Sequence, residues 1–152
     1  MITGQDKFTY DFHLADHAGL TVTDMGETDY ENFIKEFTNF PWLEQLEIAN
    51  RLKNTSATIT AQDRLNKTDL WASIAGNRDH HGYIVGYNFL KATEGNLFRK
   101  ERTAKWVIMY ATEHKEKILR CYYLFFKRDT KGLILELQQL DFYGESEASK
   151  QE

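Results

Sequence analysis

Histidine pairs are the first residues to weigh for chemistry. His13 and His17 stand four apart, the spacing at which a helix presents two metal ligands on one face. The stretch around His13 alternates instead, with Phe8, Tyr10, Phe12 and Leu14 on one side and Lys7, Thr9, Asp11 and His13 on the other. On such a strand residues four apart are separated by roughly 13 Å and cannot share an ion. His80 and His81 follow Asp79 in a glycine-bounded turn. Adjacent histidines there can join one metal or shuttle a proton, but no third ligand is near, so the turn reads as solvated. His114 sits in a charged link and reads as surface. No metal site is expected.

The other reactive types are equally bare. Cys121 is the single cysteine, which excludes an internal disulfide and fits a reducing compartment. Its neighbours Tyr122, Tyr123 and Leu124 make it a small core residue rather than a nucleophile. Ser56 and Ser73 lack a nucleophile-elbow pattern, and the glycines form neither a phosphate loop nor a dinucleotide fingerprint. Gly86, inside a strand pattern, marks a bulge or a close approach of packed groups. Among carboxylates, Asp69, Glu136 and Asp141 lie in or beside apparent strands, where an inward-pointing acid can act as general acid or base. Alternation places Glu136 opposite Leu133, Leu135 and Leu137, on a solvated face. No catalytic residue and no cofactor is assigned.

Charge is the strongest signal. Residues 1–50 carry two bases against ten acids, and residues 51–152 carry 17 bases against 13 acids, for −4 overall. Between Lys91 and Lys131 eleven bases meet five acids, interleaved with Phe98, Trp106, Tyr110 and Tyr122. Such a stretch can track a nucleic-acid backbone. The acidic whole, with a pI near 5.7, argues against nucleic acid as the partner. An acidic face beside aromatic anchors suits a protein with a basic surface, through steered association and a desolvated centre. The candidate partner-binding residues are Asp29, Tyr30, Glu31, Glu36, Phe40, Trp42, Glu44 and Glu47. In its most concrete form the chain is an immunity-type antidote that masks a cationic toxin or nuclease domain. The competing possibility is that the acidic third and the basic strand ends neutralise each other within one molecule.

These residues need elements to place them. The alternating segment is a strand with one buried face, and after the turn at Asp16–Gly19 the run Leu20–Thr23 can return as its partner. Tyr30, Phe33, Ile34 and Phe37 then recur at helical spacing, with Thr28 and Glu31 forming a capping box. Pro41 ends that helix and opens a second one reaching about Leu52. From Ser56 onward, runs at 57–61, 70–75, 83–90, 104–111, 118–126 and 133–140 read as strands joined by short polar links. Links that short favour antiparallel neighbours. Ile118–Phe126, apolar on both faces, reads as a central strand.

The expected fold is therefore α+β, with one or two N-terminal helices on a twisted antiparallel meander of about five or six strands and a short N-terminal hairpin before them. Residues 1–144 form one domain and 145–152 a polar, frayed tail. The first residues lack the apolar core of a signal peptide, and no run approaches the ~20 apolar residues that span a bilayer. A cytoplasmic protein without a membrane partner is expected. An exposed sheet edge permits a homodimer. An alternative reading has the sheet curve around a small ligand, with Tyr83, Tyr87, Trp106, Tyr110, Tyr122 and Glu136 lining the pocket of a carrier or a small isomerase- or hydrolase-like enzyme.

Overall fold

In the computed structural model, which describes residues 7–15, 22–93 and 102–148, eleven elements follow one another. They are β1 (Phe8–His13), β2 (Thr23–Thr28), α1 (Tyr30–Asn39), α2 (Trp42–Leu52), β3 (Thr58–Asp63), β4 (Thr68–Gly76), β5 (His81–Thr93), β6 (Arg102–Thr112), α3 (Lys115–Phe126), α4 (Thr130–Leu137) and β7 (Asp141–Glu147). The strands form one sheet in the order β2-β1-β3-β4-β5-β6-β7, and every pairing is antiparallel. The α+β class with an antiparallel sheet is as the sequence predicts.

The arrangement of helices is not. Among the described residues the sheet has seven strands rather than five or six, and there are four helices rather than one or two. Ile118–Phe126 and Leu133–Leu140, expected as strands, lie mostly in α3 and α4. The physical reason is visible in their packing. On one side of α3, Tyr122 reaches the sheet, its hydroxyl donating to the Ile59 carbonyl at 3.4 Å. On another, Phe126 and Tyr122 meet Phe33 of α1, with ring centroids 5.4 and 4.6 Å apart. The buried stripe of α3, Ile118, Cys121, Tyr122 and Phe125, is flanked by further apolar residues that meet α1 and α4, and this widening blurs the one-sided pattern that betrays a surface helix.

Register sorts the sheet into two faces. Tyr10, Ala61, Leu70 and Tyr87 are successive cross-strand partners; all are buried, and they share one core with Phe33, Phe37, Trp42, Leu46, Ile118, Tyr122, Leu133 and Leu137 from the four helices. The helices thus lie on one face. Thr9, Gln62, Asp69 and Asn88 form the matching row on the other face, a polar line such as the wet side of an antiparallel sheet carries. Gly86 shows the close approach expected of it: a Cβ there would stand 1.9 Å from Trp71 Cε2.

Boundaries shift in detail. The N-cap of α1 is Asp29 rather than Thr28; its carboxylate accepts from the Asn32 amide at 2.9 Å. Pro41 caps α2 from outside instead of opening it. The returning strand is Thr23–Thr28, and Asp16–Thr21 fall outside the described residues. His13, expected to face solvent, is 5% exposed. There the chain leaving β1 is pinned to α2 and the residues just after it, with the Ala15 backbone amide donating to Gln45 Oε1 and Asn54 Nδ2 donating to the Ala15 carbonyl. His17 lies outside the described residues. Of the expected frayed tail, Glu145–Glu147 belong to β7, and the Ala148 amide still donates to the Lys105 carbonyl at 2.8 Å. No helix among the described residues is long and apolar enough to cross a membrane.

Candidate functional site

Where α1 begins, β1, β2, α1 and α3 converge on a groove of about 980 Å³. Its floor is aromatic. Phe8 of β1 lies 4.6 Å from Phe126 between ring centroids, and Tyr30 stands edge-on to Tyr123 at 5.5 Å and to Phe126 at 6.0 Å. Tyr30 reaches this place because it opens α1 directly after the Asp29 cap. Tyr123 and Phe126 reach it because three residues of helix bring them to one side of α3. Phe8, Tyr30 and Phe126 are half-buried and Tyr123 is 36% exposed, so the rings offer a contact surface rather than a sealed core.

The rim is ionic. Glu27, Asp29 and Glu31 stand on it together with Lys7 and Lys127. Lys7 is taken up by Glu27 at 3.0 Å, while Lys127 hangs over the Tyr123 ring at 5.5 Å, as does Arg120. The acidic side continues along α1 to the exposed Glu36. Aromatic faces beside carboxylates can hold the aliphatic stems and cationic heads of lysine and arginine side chains.

Of the eight residues expected to bind a partner, the structure brings Asp29, Tyr30 and Glu31 together here. Glu36 is on the same helix, close enough to the Tyr10 phenol to add to the upward shift that burial imposes on it. Phe40 and Trp42 lie past the far end of α1, about 15 Å of helix away. Trp42 is 3% exposed, with its indole donating to the Phe37 carbonyl at 3.1 Å and its ring edge-on to Tyr83 at 5.7 Å. It is a core residue, and half-buried Phe40 packs on it at 4.5 Å. Glu44 is exposed on α2. Glu47 is bonded to Arg78 of the β4–β5 turn, which holds its carboxyl below the usual range. There the acidic third is neutralised within the molecule, as it is where Lys7 takes up Glu27.

The alternative pocket is also dispersed. Tyr87 and Tyr110 line a cavity of about 230 Å³ under α4, together with Phe89, Ile108, Ile134 and Leu137. Burial raises both phenols. Tyr122 is fully buried at the centre of the core, and Tyr83 belongs to the Trp42 contact. Trp106 donates to Glu145 at 3.1 Å and carries Lys91 over its ring at 4.4 Å. Glu136 is on a helix, not a strand, and its carboxylate is 3.7 Å from Arg120. Cys121 is buried, and burial first, then Glu136, pushes its thiol up to about 12.

Sequence reasoning missed Phe8, Glu27, Tyr123 and Phe126 as groove residues. For the last two the signal was present: read as a helix, 118–126 puts Tyr123 and Phe126 on a common side, whereas a strand separates them. Compared with family models, curated proteins and solved structures, the chain matches none.

Proposed function

We propose that this protein acts by binding another protein through the groove at the start of α1 and the acidic outer face of that helix. The partner presents a basic segment with lysine or arginine side chains. The observation that carries this reading is the aromatic floor of Phe8, Tyr30, Tyr123 and Phe126 under the carboxylates of Glu27, Asp29 and Glu31. Exposed aromatic rings anchor interfaces, while surrounding charge chooses the partner and speeds encounter. The most specific form is a cytoplasmic antidote that masks a cationic toxin or nuclease domain.

The test is co-purification with the basic proteins encoded beside its gene, followed by titration of the captured partner. Tyr30→Ala and Tyr123→Ala should each weaken binding by about tenfold or more. Glu31→Lys with Glu36→Lys and Glu44→Lys should abolish the salt dependence of association while the melting temperature holds. Unchanged affinity in the triple charge reversal sinks the proposal.

A second reading, a small-ligand carrier or enzyme, is favoured by the cavity that Tyr87 and Tyr110 share. It predicts that a compact aromatic compound raises the melting temperature and that Leu137→Trp, which fills the space, removes the response. Glu136 has no part in it, since it pairs with Arg120 instead.

A further inference from the structure

The helix-free face of the sheet carries an ordered line of polar side chains that the groove reading does not use. Thr9, Gln62, Asp69 and Asn88 are direct cross-strand partners on β1, β3, β4 and β5. At roughly 4.8 Å per strand the row is about 14 Å long. Its members fix one another. Thr9 Oγ1 donates to Gln62 Oε1 at 2.7 Å, and Gln62 Nε2 donates to Asp11 Oδ2 at 2.6 Å. Asp69 Oδ2 accepts from Asn88 Nδ2 at 3.3 Å and lies 3.1 Å from Lys105 Nζ. Asn88 Oδ1 accepts in turn from the Trp71 indole at 3.2 Å. Over Thr9, Asp11, Gln62, Asp69 and Lys105 lies a groove of about 710 Å³.

Trp71 ends the row as a platform. Its indole lies against the backbone of Gly86, where a Cβ would come within 1.9 to 2.4 Å of three ring atoms. Only glycine there lets the ring lie on the sheet, and the Asn88 bond fixes its edge. The ring stays half-buried, so part of it reaches solvent.

The chemistry of this surface narrows the ligand. Asp11, Asp24, Asp63 and Asp69 line the groove together with Arg64, Lys67 and Lys105, so positive charge is not in excess there and a phosphate or a nucleic-acid backbone meets carboxylates as well as bases. No group of three or more His, Cys, Asp or Glu among the described residues is placed to hold a metal ion, and Asp69 is already taken up by Lys105. What remains suited is a neutral molecule dense in hydroxyls. Each carboxylate, amide and ammonium in the row has more hydrogen-bonding capacity than its neighbour uses, and a hydroxyl can both donate and accept. The C–H face of a sugar ring packs on an indole as other apolar surface does. We propose that the helix-free face binds carbohydrate, a neutral sugar chain laid across β1, β3, β4 and β5, with Asp11, Gln62, Asp69 and Asn88 reading its hydroxyls and Trp71 stacking under one ring.

The test is a titration of the isotope-labelled full chain with maltohexaose, cellohexaose and chitohexaose, and with a heparin hexasaccharide as the charged counterpart. Saturable shifts should concentrate on the Trp71 indole N–H and the Gln62 and Asn88 side-chain amides for at least one neutral sugar. Asn88→Ala and Gln62→Ala should each weaken that sugar about tenfold with the rest of the spectrum intact. Gly86→Ala, which keeps every polar group but displaces the indole, should do the same. If no neutral sugar moves those resonances at millimolar concentration, the proposal fails. It fails equally if the shifts fall on the α1 groove, or if the heparin fragment alone binds.

Discussion

The two helix pairs occupy the same face of the same sheet, yet they are written in different languages. The first, α1 and α2, sits between β2 and β3 and turns a polar side to solvent: Glu31, Lys35, Glu36, Glu44 and Glu47 are all exposed. The second, α3 and α4, sits between β6 and β7, and α3 is hemmed in by the sheet, α1 and α4. Five of its residues are buried, against two in α1. The pair with a wet side is free to carry recognition chemistry. The second pair serves the core through Ile118, Cys121, Tyr122, Leu124 and Phe125 of α3, while its outer side still exposes Arg120, Tyr123, Ile134 and Leu135.

That contrast sets the largest predicted effect. Tyr122 has no exposed surface and touches the rings of Phe33 and Phe37 at 4.6 and 5.3 Å. Tyr122→Ala should cost about 3–5 kcal/mol, as truncation of a buried aromatic does. Glu36→Lys on α1 should stay within about 0.5 kcal/mol. Urea denaturation of both variants, with Phe33→Ala and the double Phe33→Ala/Tyr122→Ala to close a cycle, measures the coupling between the two pairs. A Tyr122→Ala protein of near wild-type stability breaks the claim that α3 is the centre.

Next is the pin that joins the second pair to the sheet. Asp63, 2% exposed at the end of β3, accepts from Arg128 Nε at 3.1 Å and Nη2 at 3.3 Å, and from the Leu65 and Asn66 amides at 3.0 and 3.2 Å. Arg128 holds a left-handed backbone, φ 58°, between α3 and α4. Asp63→Ala removes one partner of a largely buried pair and leaves two turn amides without their acceptor. A loss of about 2–4 kcal/mol is expected, reduced by the partial exposure of Arg128. A loss of about 1 kcal/mol or less by the same urea measurement would reduce the pin to an ordinary surface contact.

The same contrast explains what could be read in advance. Tyr30, Phe33, Ile34 and Phe37 announce α1 because its other side is wet. β3, β4 and β5 announce themselves because buried and polar residues alternate along them, Ala61, Leu70 and Tyr87 beside Gln62, Asp69 and Asn88. Between residues 118 and 126 the buried Ile118, Cys121, Tyr122 and Phe125 do fall at helical spacing. Apolar Leu119, Tyr123, Leu124 and Phe126 fill the gaps between them, so the run reads as a buried strand as readily as a helix. The site suffered from that one confusion. Asp29, Tyr30 and Glu31 were legible, but the rings that complete their groove come from α3. Trp42 looked like an anchor because sequence shows an aromatic beside acids without showing that Phe37, Phe40 and Tyr83 enclose it.

A smaller effect should appear in alkali. The Cys121 thiol is pushed up to about 12 from an ordinary 9.0, by burial first. Above pH 9 the unfolded chain therefore sheds a proton that the folded one keeps, and stability falls as pH rises toward 12. The slope from this group is at most about 1.4 kcal/mol per pH unit. Tyr83, Tyr87, Tyr110 and Tyr122 are raised by burial as well and add to the decline. Urea midpoints at pH 8, 9 and 10 should fall for the wild type and fall less for Cys121→Ala. In the native protein a thiol reagent at pH 8 should find nothing to modify. Fast labelling there would mean that α3 opens to solvent and is not the enclosed helix described above.

The smallest effect separates fold from recognition at one residue. Asp29 caps α1 and Asp129 caps α4, each accepting a backbone N–H at 2.9 Å, so each Asp→Ala change should cost about 1 kcal/mol. Only Asp29 stands on the rim of the groove. Serine caps a helix about as well as aspartate but carries no charge, so Asp29→Ser should lose at most the few tenths to 1 kcal/mol that a carboxylate gains at a helix N-terminus. If partner binding uses the charge, Asp29→Ser should weaken it while Asp129→Ser does not. Equal affinity in the two serine variants would confine Asp29 to capping and leave Glu27 and Glu31 as the acids that face the partner.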